Sequence, residues 1–262
     1  MMNSIHGFSK VGYILLITSL FTCFYANSSY SQDQEMKEGE LEIKSLGIGS
    51  ADMGHEYGVS FYSKVAPKDD SYFIDETFDA KIVFPDGSEE AFSGPIRHDS
   101  DIESFYVFQT LEEVDLKPGD YDIRVATGID GEDFVIEGST SLSVSESEAE
   151  TTFDQVSEES IEYEHDNANE KFHVNWDEID EAKAYRVVAS HGSGPGARRF
   201  RALVSDNEAT IEDVDIEIQT IQIHAYSAPP NDDYQGDRFI GPVELEGNEV
   251  LHRSRKHIRL NR

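Results

Sequence analysis

The sequence predicts an all-β protein in which two β-sandwich domains follow one another along the chain. Apolar and polar residues alternate over short segments between residues 40 and 245, and turn residues separate many of these segments. Alternation with a period of two is typical of strands with one buried and one solvated face. Several short strands at this spacing favour a sandwich or barrel, and between residues 40 and 144 no ten-residue window shows the 3.6-residue period of a helix.

Residues 1–31 have the tripartite pattern of a cleaved signal peptide. Lys10 is the only formally charged side chain among them, and an apolar run at residues 11–26 precedes a polar segment. The run is shorter than the roughly 20 residues of a spanning helix, so we expect no transmembrane helix in the mature chain. Small residues at Ser29 and Ser31 favour cleavage after Ser31, with Ser28 as the alternative. The pattern predicts export to the periplasm or the extracellular space.

Cys23 is the only cysteine, and it introduces an alternative to a soluble protein. Residues 20–23 resemble a lipobox, in which the cysteine is lipidated and anchors the protein to a membrane. Phe21 and Thr22 depart from the small residues of that motif. If the signal peptide is cleaved instead, Cys23 is lost with it, and neither disulfides nor cysteine-based metal sites are available. We expect no cofactor.

The charge balance limits the classes of partner. The chain has 53 acidic and 21 basic residues and a net charge of −32. So strong a negative field argues against nucleic acid and anionic membranes as partners, and it favours solubility.

The first predicted domain covers residues 40–145 and follows a disordered acidic leader at residues 32–39. The turns Pro85-Asp86-Gly87-Ser88 and Asp130-Gly131 separate strands, because proline presets φ and glycine accepts a positive φ. The predicted strands of this domain are residues 41–46, 57–63, 78–84, 105–110, 121–127 and 134–144.

A linker rich in serine and glutamate is predicted at residues 146–157. The second domain then covers residues 158–250. Its predicted strands are residues 161–164, 172–176, 185–190, 199–204, 209–211, 218–228 and 238–245. A tail at residues 251–262 carries five basic residues and no acidic one. This tail is expected either to dock on an acidic surface or anionic lipid, or to stay solvated.

Residues 171–190 contain the strongest fold signal. Phe172, Val174 and Trp176 alternate with polar residues, and Tyr185 opens a second alternating segment. With Ile221, Ile223 and Ala225 alternating further along, this half resembles a fibronectin type III domain. In that family Trp176 would end strand B, Ala182 and Tyr185 would lead strand C, and the isoleucines would lie on strand F. The family's early strand-F tyrosine is replaced here by Gln219.

The first half resembles an immunoglobulin-like sandwich through residues 116–125. Leu116, Pro118, Gly119 and Tyr121 are similar to the corner that joins strands E and F in that fold. Together the two resemblances imply tandem immunoglobulin-like and fibronectin III-like sandwiches. They imply little about activity, because such sandwiches host many functions.

Two groups of residues are candidates for ligand binding. Arg198, Arg199 and Arg201 follow a glycine-rich loop, and in so acidic a chain they are expected either to receive an anionic partner or to pair with neighbouring carboxylates. Tyr226 and Tyr234 flank the next long loop and are expected to contact a ligand or the other domain.

Metal sites and catalytic residues are not predicted. Asp232, Asp233 and Asp237 form a weak calcium candidate, because the loop lacks the glutamate that closes an EF-hand. The histidines show no zinc spacing, and the alternation places His173 and His224 on solvent faces.

The sequence therefore predicts a non-catalytic binding or spacer module that acts through protein–protein contacts. A carbohydrate-binding accessory protein of a secreted hydrolase system is the alternative, and a hydrolase with an unrecognised carboxylate site comes third. Either a protein or a glycan partner remains open at this point.

Overall fold

The computed structural model describes residues 39–54, 57–68, 77–95, 97–98, 105–127, 136–151, 153–232, 234 and 241–260. The predicted signal peptide, Cys23 and nearly all of the predicted leader lie outside these ranges. Lys37–Arg262 form one compact unit. Within the described ranges, no helix is long and apolar enough to cross a membrane.

The fold is nearly all β and its strands enclose two buried cores, as the sequence predicted. Within the described ranges, a short helix, α1 (Glu146–Ala149), and 3₁₀ turns at Glu158–Ser160 and Gly194–Gly196 interrupt the strands. The strands are β1 (Gly39–Asp52), β2 (Tyr57–Pro67), β3 (Thr77–Val83), β4 (Glu89–Pro95), β5 (Arg97–His98), β6 (Phe105–Glu112), β7 (Gly119–Thr127), β8 (Ile136–Val144), β9 (Glu162–Asp166), β10 (Lys171–Asn175), β11 (Ala184–His191), β12 (Arg198–Val204), β13 (Glu208–Ile211), β14 (Thr220–Tyr226), β15 (Asn248–Val250) and β16 (Arg253–Arg259).

In the first sandwich, strands β8-β7-β3-β4 and β1-β2-β6-β5 enclose one buried core, and the two sets join where the start of β1 pairs with β8. Inward residues alternate along β7, where Tyr121, Ile123 and Val125 are all buried. The tyrosine corner predicted at residues 116–125 is present. The Tyr121 hydroxyl accepts from the Lys117 nitrogen at 2.8 Å and donates to the Lys117 oxygen at 2.9 Å. Gly119 enables the turn because its φ is +123° and a Cβ there would lie 2.7 Å from Pro85 Cβ.

The second sandwich packs the three-stranded sheet β13-β10-β9 against β12-β11-β14-β16. Trp176 and Tyr185 lie in its core with their rings edge to face, 5.1 Å between centroids, as the alternation predicted. The Tyr185 hydroxyl accepts from the Ile179 nitrogen at 2.9 Å, so this buried polar atom is satisfied. Phe153 and Val156, from the predicted linker, are also buried in this core.

One sheet runs through both sandwiches. Strand β1 pairs antiparallel with β2 along its length and parallel with β15 and β16. Because β16 also pairs with β14, the order β2-β1-β16-β14-β11-β12 is continuous. An apolar cluster that includes Tyr62, Tyr226 and Leu251 lies at this junction. A Cβ on Gly49 would overlap the carbonyl oxygen of Leu251, so the chains approach there as closely as only glycine allows.

The C-terminal segment differs from the prediction. The expected strand at residues 238–245 is not found in its described part, residues 241–245, where only Val243 makes an isolated bridge, to Pro230. The expected tail at residues 251–262 instead contains β16, which lies between β14 and β1. The position is central because β16 provides backbone hydrogen-bond partners to strands on both of its sides. Its Ile258 closes the second core.

The predicted linker is ordered where it is described. Ser145 and Glu148 form a capping box at the start of α1. The shared sheet joins the two sandwiches, while their boundaries as separate domains stay a prediction.

Candidate functional site

Basic residues are concentrated in one sheet of the second sandwich. The four strands β11, β12, β14 and β16 hold eight of the chain's 21 basic residues and none of its 53 acidic residues. In a chain with a net charge of −32, this sheet is a local reversal of sign.

Strand register places six of these basic residues on the same side of the sheet. Opposite residues in an antiparallel pair share a face, and residues two apart in a strand do so as well. The side away from the Trp176 core thereby carries six of the chain's eleven arginines. We call this side the arginine face; its members are Arg186, Arg199, Arg201, Arg253, Arg255 and Arg259.

A row of three side chains crosses the middle of the arginine face. Arg186 on β11 is opposite His224 on β14, which is opposite Arg255 on β16. The Nη2 atom of Arg186 lies 3.3 Å from Nε2 and 3.4 Å from Nδ1 of His224. Arg255 donates from Nη2 to the Met53 oxygen at 3.3 Å, which ties the row to the end of β1.

His224 is buried, with only 6% of its surface exposed, which corrects its predicted place on a solvent face. Its side chain points to the predicted side of the sheet, but neighbouring side chains cover that side. Burial holds the pKa of His224 well below 6.5, and the charges of Arg186, Arg253 and Arg255 lower it further. The imidazole is therefore neutral at neutral pH and offers one donor and one acceptor.

Two further side chains close the row on either side. Arg253 is 3% exposed and donates to Thr110 of the first sandwich, so it bridges the two halves. Tyr234 is half-buried and its hydroxyl hydrogen-bonds to Arg186; burial raises its pKa, and Arg186 and Arg201 oppose that rise. The aromatic rings of His224 and Tyr226 lie nearly parallel, 6.4 Å apart.

Several cations on the arginine face lack an acidic partner. Within the described part of the chain, Arg186, Arg199, Arg201 and Arg255 form no ion pair. The Nε atoms of Arg186 and Arg255 are buried and have no hydrogen-bond partner there. Guanidinium groups bind carboxylates and phosphates through paired hydrogen bonds, so this face is chemically suited to an oxyanion.

The structure brings together part of the predicted binding set. Arg199, Arg201 and Tyr234 belong to the arginine face or border it. Arg198 points to the other side, where it pairs with Asp215 at 2.6 Å and covers the ring of Phe200. This is the pairing with a neighbouring carboxylate that the sequence left open. Tyr226 is 3% exposed and packs in the junction cluster, so its ring contacts the other sandwich.

The calcium candidate is described only in part. Asp232 is exposed and lines a cavity of about 530 Å³ with Asp206 and Glu208. Asp233 and Asp237 lie outside the described residues, as does the lipidation candidate Cys23. Among the residues that the structure describes, no group of three or more His, Cys, Asp or Glu side chains could hold a metal ion. The calcium site stays a prediction.

Sequence reasoning missed Arg186, His224, Arg253 and Arg255. His224 was expected on a solvent face, and Arg186 lies in the strand predicted at residues 185–190 but was not proposed as a binding residue. A signal for the other two existed, because residues 253–259 place a basic residue at every second position except 257, which is histidine. That alternation predicts a strand with one cationic face, once the segment is not taken for a tail.

A second concave site lies at the open edge of the second sandwich. A groove of about 800 Å³ is bordered by Tyr163, Phe172, Asn167, Gln219 and Arg259, among others. Tyr163 is 46% exposed and stacks on Phe172 with 6.1 Å between ring centroids, so one face of its ring is free of that contact.

No protein-family model and no curated protein matches the chain. Among solved structures, it is similar to the FN1–FN3 domains of chicken CNTN1, with 12% identity and a TM-score of 0.26 over 71% of this chain and 60% of that one. It is also similar to a tetra-tandem repeat in the extending region of a large adhesion protein. That match has 12% identity and a TM-score of 0.26, and it covers 84% of this chain and 49% of the other. A third similar structure is a DUF4785 family protein from Legionella pneumophila subsp. pneumophila. Its identity is 12% and its TM-score 0.24, and the match covers 71% of this chain and 50% of the other. The chain spans about half to three fifths of these structures, and likeness at this level says nothing of its function.

Proposed function

We propose that this protein is an exported, non-catalytic binding module that recognises an acidic region of a partner protein through the arginine face. The observation that carries the proposal is the separation of charge: six arginines share one side of a sheet whose four strands contain no acidic residue. In a chain of net charge −32, this face is the part of the surface that attracts an acidic group, whereas the rest of the chain repels it.

The negative charge of the rest of the chain limits how large the acidic region of the partner can be. A long polyanion, such as a nucleic acid, extends beyond the arginine face and meets the acidic remainder of the chain. A compact acidic patch matches the face alone, because charges beyond about 8–10 Å are screened at physiological salt. The module should therefore bind a local cluster of carboxylates, and the binding should weaken as salt rises.

The test compares capture by the full mature chain and by variants. Immobilised protein is incubated with the native envelope fraction and the medium, and retained proteins are identified by mass spectrometry. Arg199→Gln/Arg201→Gln removes two cations at the accessible margin of the face. With up to about 1 kcal/mol for each of the two exposed pairs, binding should weaken up to about thirtyfold.

The matched control is Lys81→Gln/Arg124→Gln, which removes the same charge from exposed pairs with Glu89 and Glu137 in the first sandwich. A partner retained by this control and weakened by the first variant, more so in low salt, supports the proposal. Equal retention by both variants, or no retained partner, refutes it.

Export is part of the proposal and rests on residues 1–31. A short apolar run after Lys10, followed by small residues up to Ser31, is the pattern of a cleaved signal peptide. The alternative is that Cys23 is lipidated and anchors the protein to the envelope.

The groove at Tyr163 favours carbohydrate binding as a second candidate function. An exposed aromatic ring beside amide and guanidinium groups, here Asn167, Gln219 and Arg259, suits a sugar, which stacks on the ring and hydrogen-bonds at its edge. Retention of the chain on a polysaccharide, lost with Tyr163→Ala and kept with Tyr57→Ala, would support this function. Tyr57 is the matched control because it is 55% exposed and lies on β2. No retention on any polysaccharide would rule it out.

A further inference from the structure

We propose that the row Arg186–His224–Arg255 is a specific carboxylate site, which receives one aspartate or glutamate side chain of the partner. This deepens the proposed function, because it rests on the same face and names the group that the face recognises. Its members come from three adjacent strands, so the sheet itself fixes their spacing.

The geometry places two guanidinium groups on either side of one imidazole. Neighbouring strands lie about 4.8 Å apart, so the backbones at Arg186 and Arg255 are roughly 10 Å apart with His224 between them. Both arginines have a buried Nε that donates to no described residue. An unsatisfied buried donor is costly, and the cost is higher when the group is charged. An incoming carboxylate places a negative charge beside both guanidinium groups and thereby offsets part of this cost.

A carboxylate fits the donors better than a single-point acceptor does. A guanidinium presents parallel N–H groups that match the two oxygens of a carboxylate. His224 adds a neutral donor, because burial, and after it the charges of the surrounding arginines, lowers the pKa of its imidazole. Arg186 also holds the Tyr234 hydroxyl, which adds a polar group at the margin. The guanidinium groups therefore supply positive charge, and the imidazole and the phenol hydroxyl supply further hydrogen-bonding groups in fixed orientations.

The test follows His224 by NMR in the full mature chain with labelled histidine. The probe is N-acetyl-aspartate amide, and its uncharged counterpart N-acetyl-asparagine amide is the matched control. We expect the acid to shift the His224 resonances saturably and to raise the pKa of His224, because a nearby negative charge favours the imidazolium. The amide should do neither.

Variants test which side chains hold the probe. Arg186→Gln and Arg255→Gln should each weaken probe binding at least about tenfold, as expected for a lost charge-assisted hydrogen bond. Arg186→Lys keeps the charge but not the paired geometry, so it should also weaken binding while preserving the thermal melt. Arg124→Gln, in the first sandwich, should bind the probe as the parent does.

Three results would overturn the inference: no saturable shift with the acid, equal shifts with the acid and the amide, or binding unaffected by Arg186→Lys and Arg255→Gln. The inference also fails if Asp233→Asn/Asp237→Asn lowers the pKa of His224 without any probe, since the chain's own acids would then fill the site. These outcomes are separable from the proposed function. Partner capture that depends on Arg199 and Arg201 but not on Arg186 leaves the function standing and removes this site.

Discussion

Replacing Gly49 with alanine should destabilise the junction between the two sandwiches. Gly49 lies on β1 where the strand passes the backbone of Leu251 and His252. A Cβ there would overlap the Leu251 carbonyl oxygen and lie 2.7 Å from the His252 nitrogen. Both are backbone atoms, so no side-chain rotation relieves the overlap. The two chain segments would have to separate by roughly 1 Å to restore van der Waals contact.

The cost follows from the hydrogen bonds that this separation breaks. Leu251 donates to the Ile48 oxygen at 3.0 Å, and Ser50 donates to His252 Nδ1 at 3.2 Å. The Ser60 hydroxyl donates to the Leu251 oxygen at 3.3 Å. Three bonds at about 1 kcal/mol each give a loss of about 3 kcal/mol in the free energy of unfolding. For a chain of this size the melting temperature should fall by roughly 6–12 °C.

The assay is thermal unfolding followed by circular dichroism. Gly196→Ala is the matched control, because a Cβ at that position would meet nothing within 4 Å. If Gly49→Ala melts within about 2 °C of Gly196→Ala, the close approach of β1 to residues 251–252 is refuted.

Three further predictions concern the corner, the buried histidine and the N-terminal segment. Tyr121→Phe removes both corner hydrogen bonds and should cost about 1–3 kcal/mol in urea unfolding, whereas the exposed Tyr163→Phe should cost less than about 0.5 kcal/mol; equal costs would contradict the corner. The depressed pKa of His224 means that the unfolded chain binds a proton that the folded chain excludes. The contribution of His224 to the free energy of unfolding is therefore complete above pH 6.5. It falls as the pH drops toward the pKa of His224 in the folded chain, by up to about 1.4 kcal/mol per pH unit. His224→Gln should flatten this dependence between pH 6.5 and 5, and an unchanged slope would refute the assignment. Mass spectrometry of the exported protein should find an N terminus after Ser31, and Cys23→Ser should leave its distribution between fractions unchanged; loss from a membrane fraction would instead establish the lipid anchor.

The features that the sequence predicted well are local ones. Trp176 and Tyr185 are nine residues apart, and the alternation around each is enough to place both rings in one core. The Tyr121 corner lies within ten residues and depends on a turn that Gly119 permits. In these cases the residues that determine the structure are also neighbours in the chain.

Strand β16 was missed because its local signal is an alternation of basic residues instead of apolar ones, and because the strands that it pairs with are distant in the sequence. Only Ile258 is apolar in RSRKHIR, so a search for apolar alternation finds no strand. What makes the segment a strand is the pair of backbone edges that it joins, one on β14 and the other on β1, about two hundred residues earlier. The residues of β16 by themselves do not indicate that it pairs with β14 and β1.

The arginine face was predicted only at its margin for a related reason. Alternation showed correctly that His224 points away from the Trp176 core. It could not show that arginines from two other strands would surround that side chain, since their positions follow from the register of the assembled sheet. Arg199 and Arg201 were recognised because they are adjacent in sequence to a glycine loop.

The parallel pairing of β1 with β16 also determines when folding can finish. Ser50 and His252, which hydrogen-bond at the junction, are 202 residues apart in the chain. Contacts of such long separation slow folding, because the entropy of closing the intervening chain is lost before the contact stabilises anything. A chain that emerges from its N-terminal end holds β1 without β16 until residues 253–259 have emerged. We therefore expect the junction between β1 and β16 to assemble last.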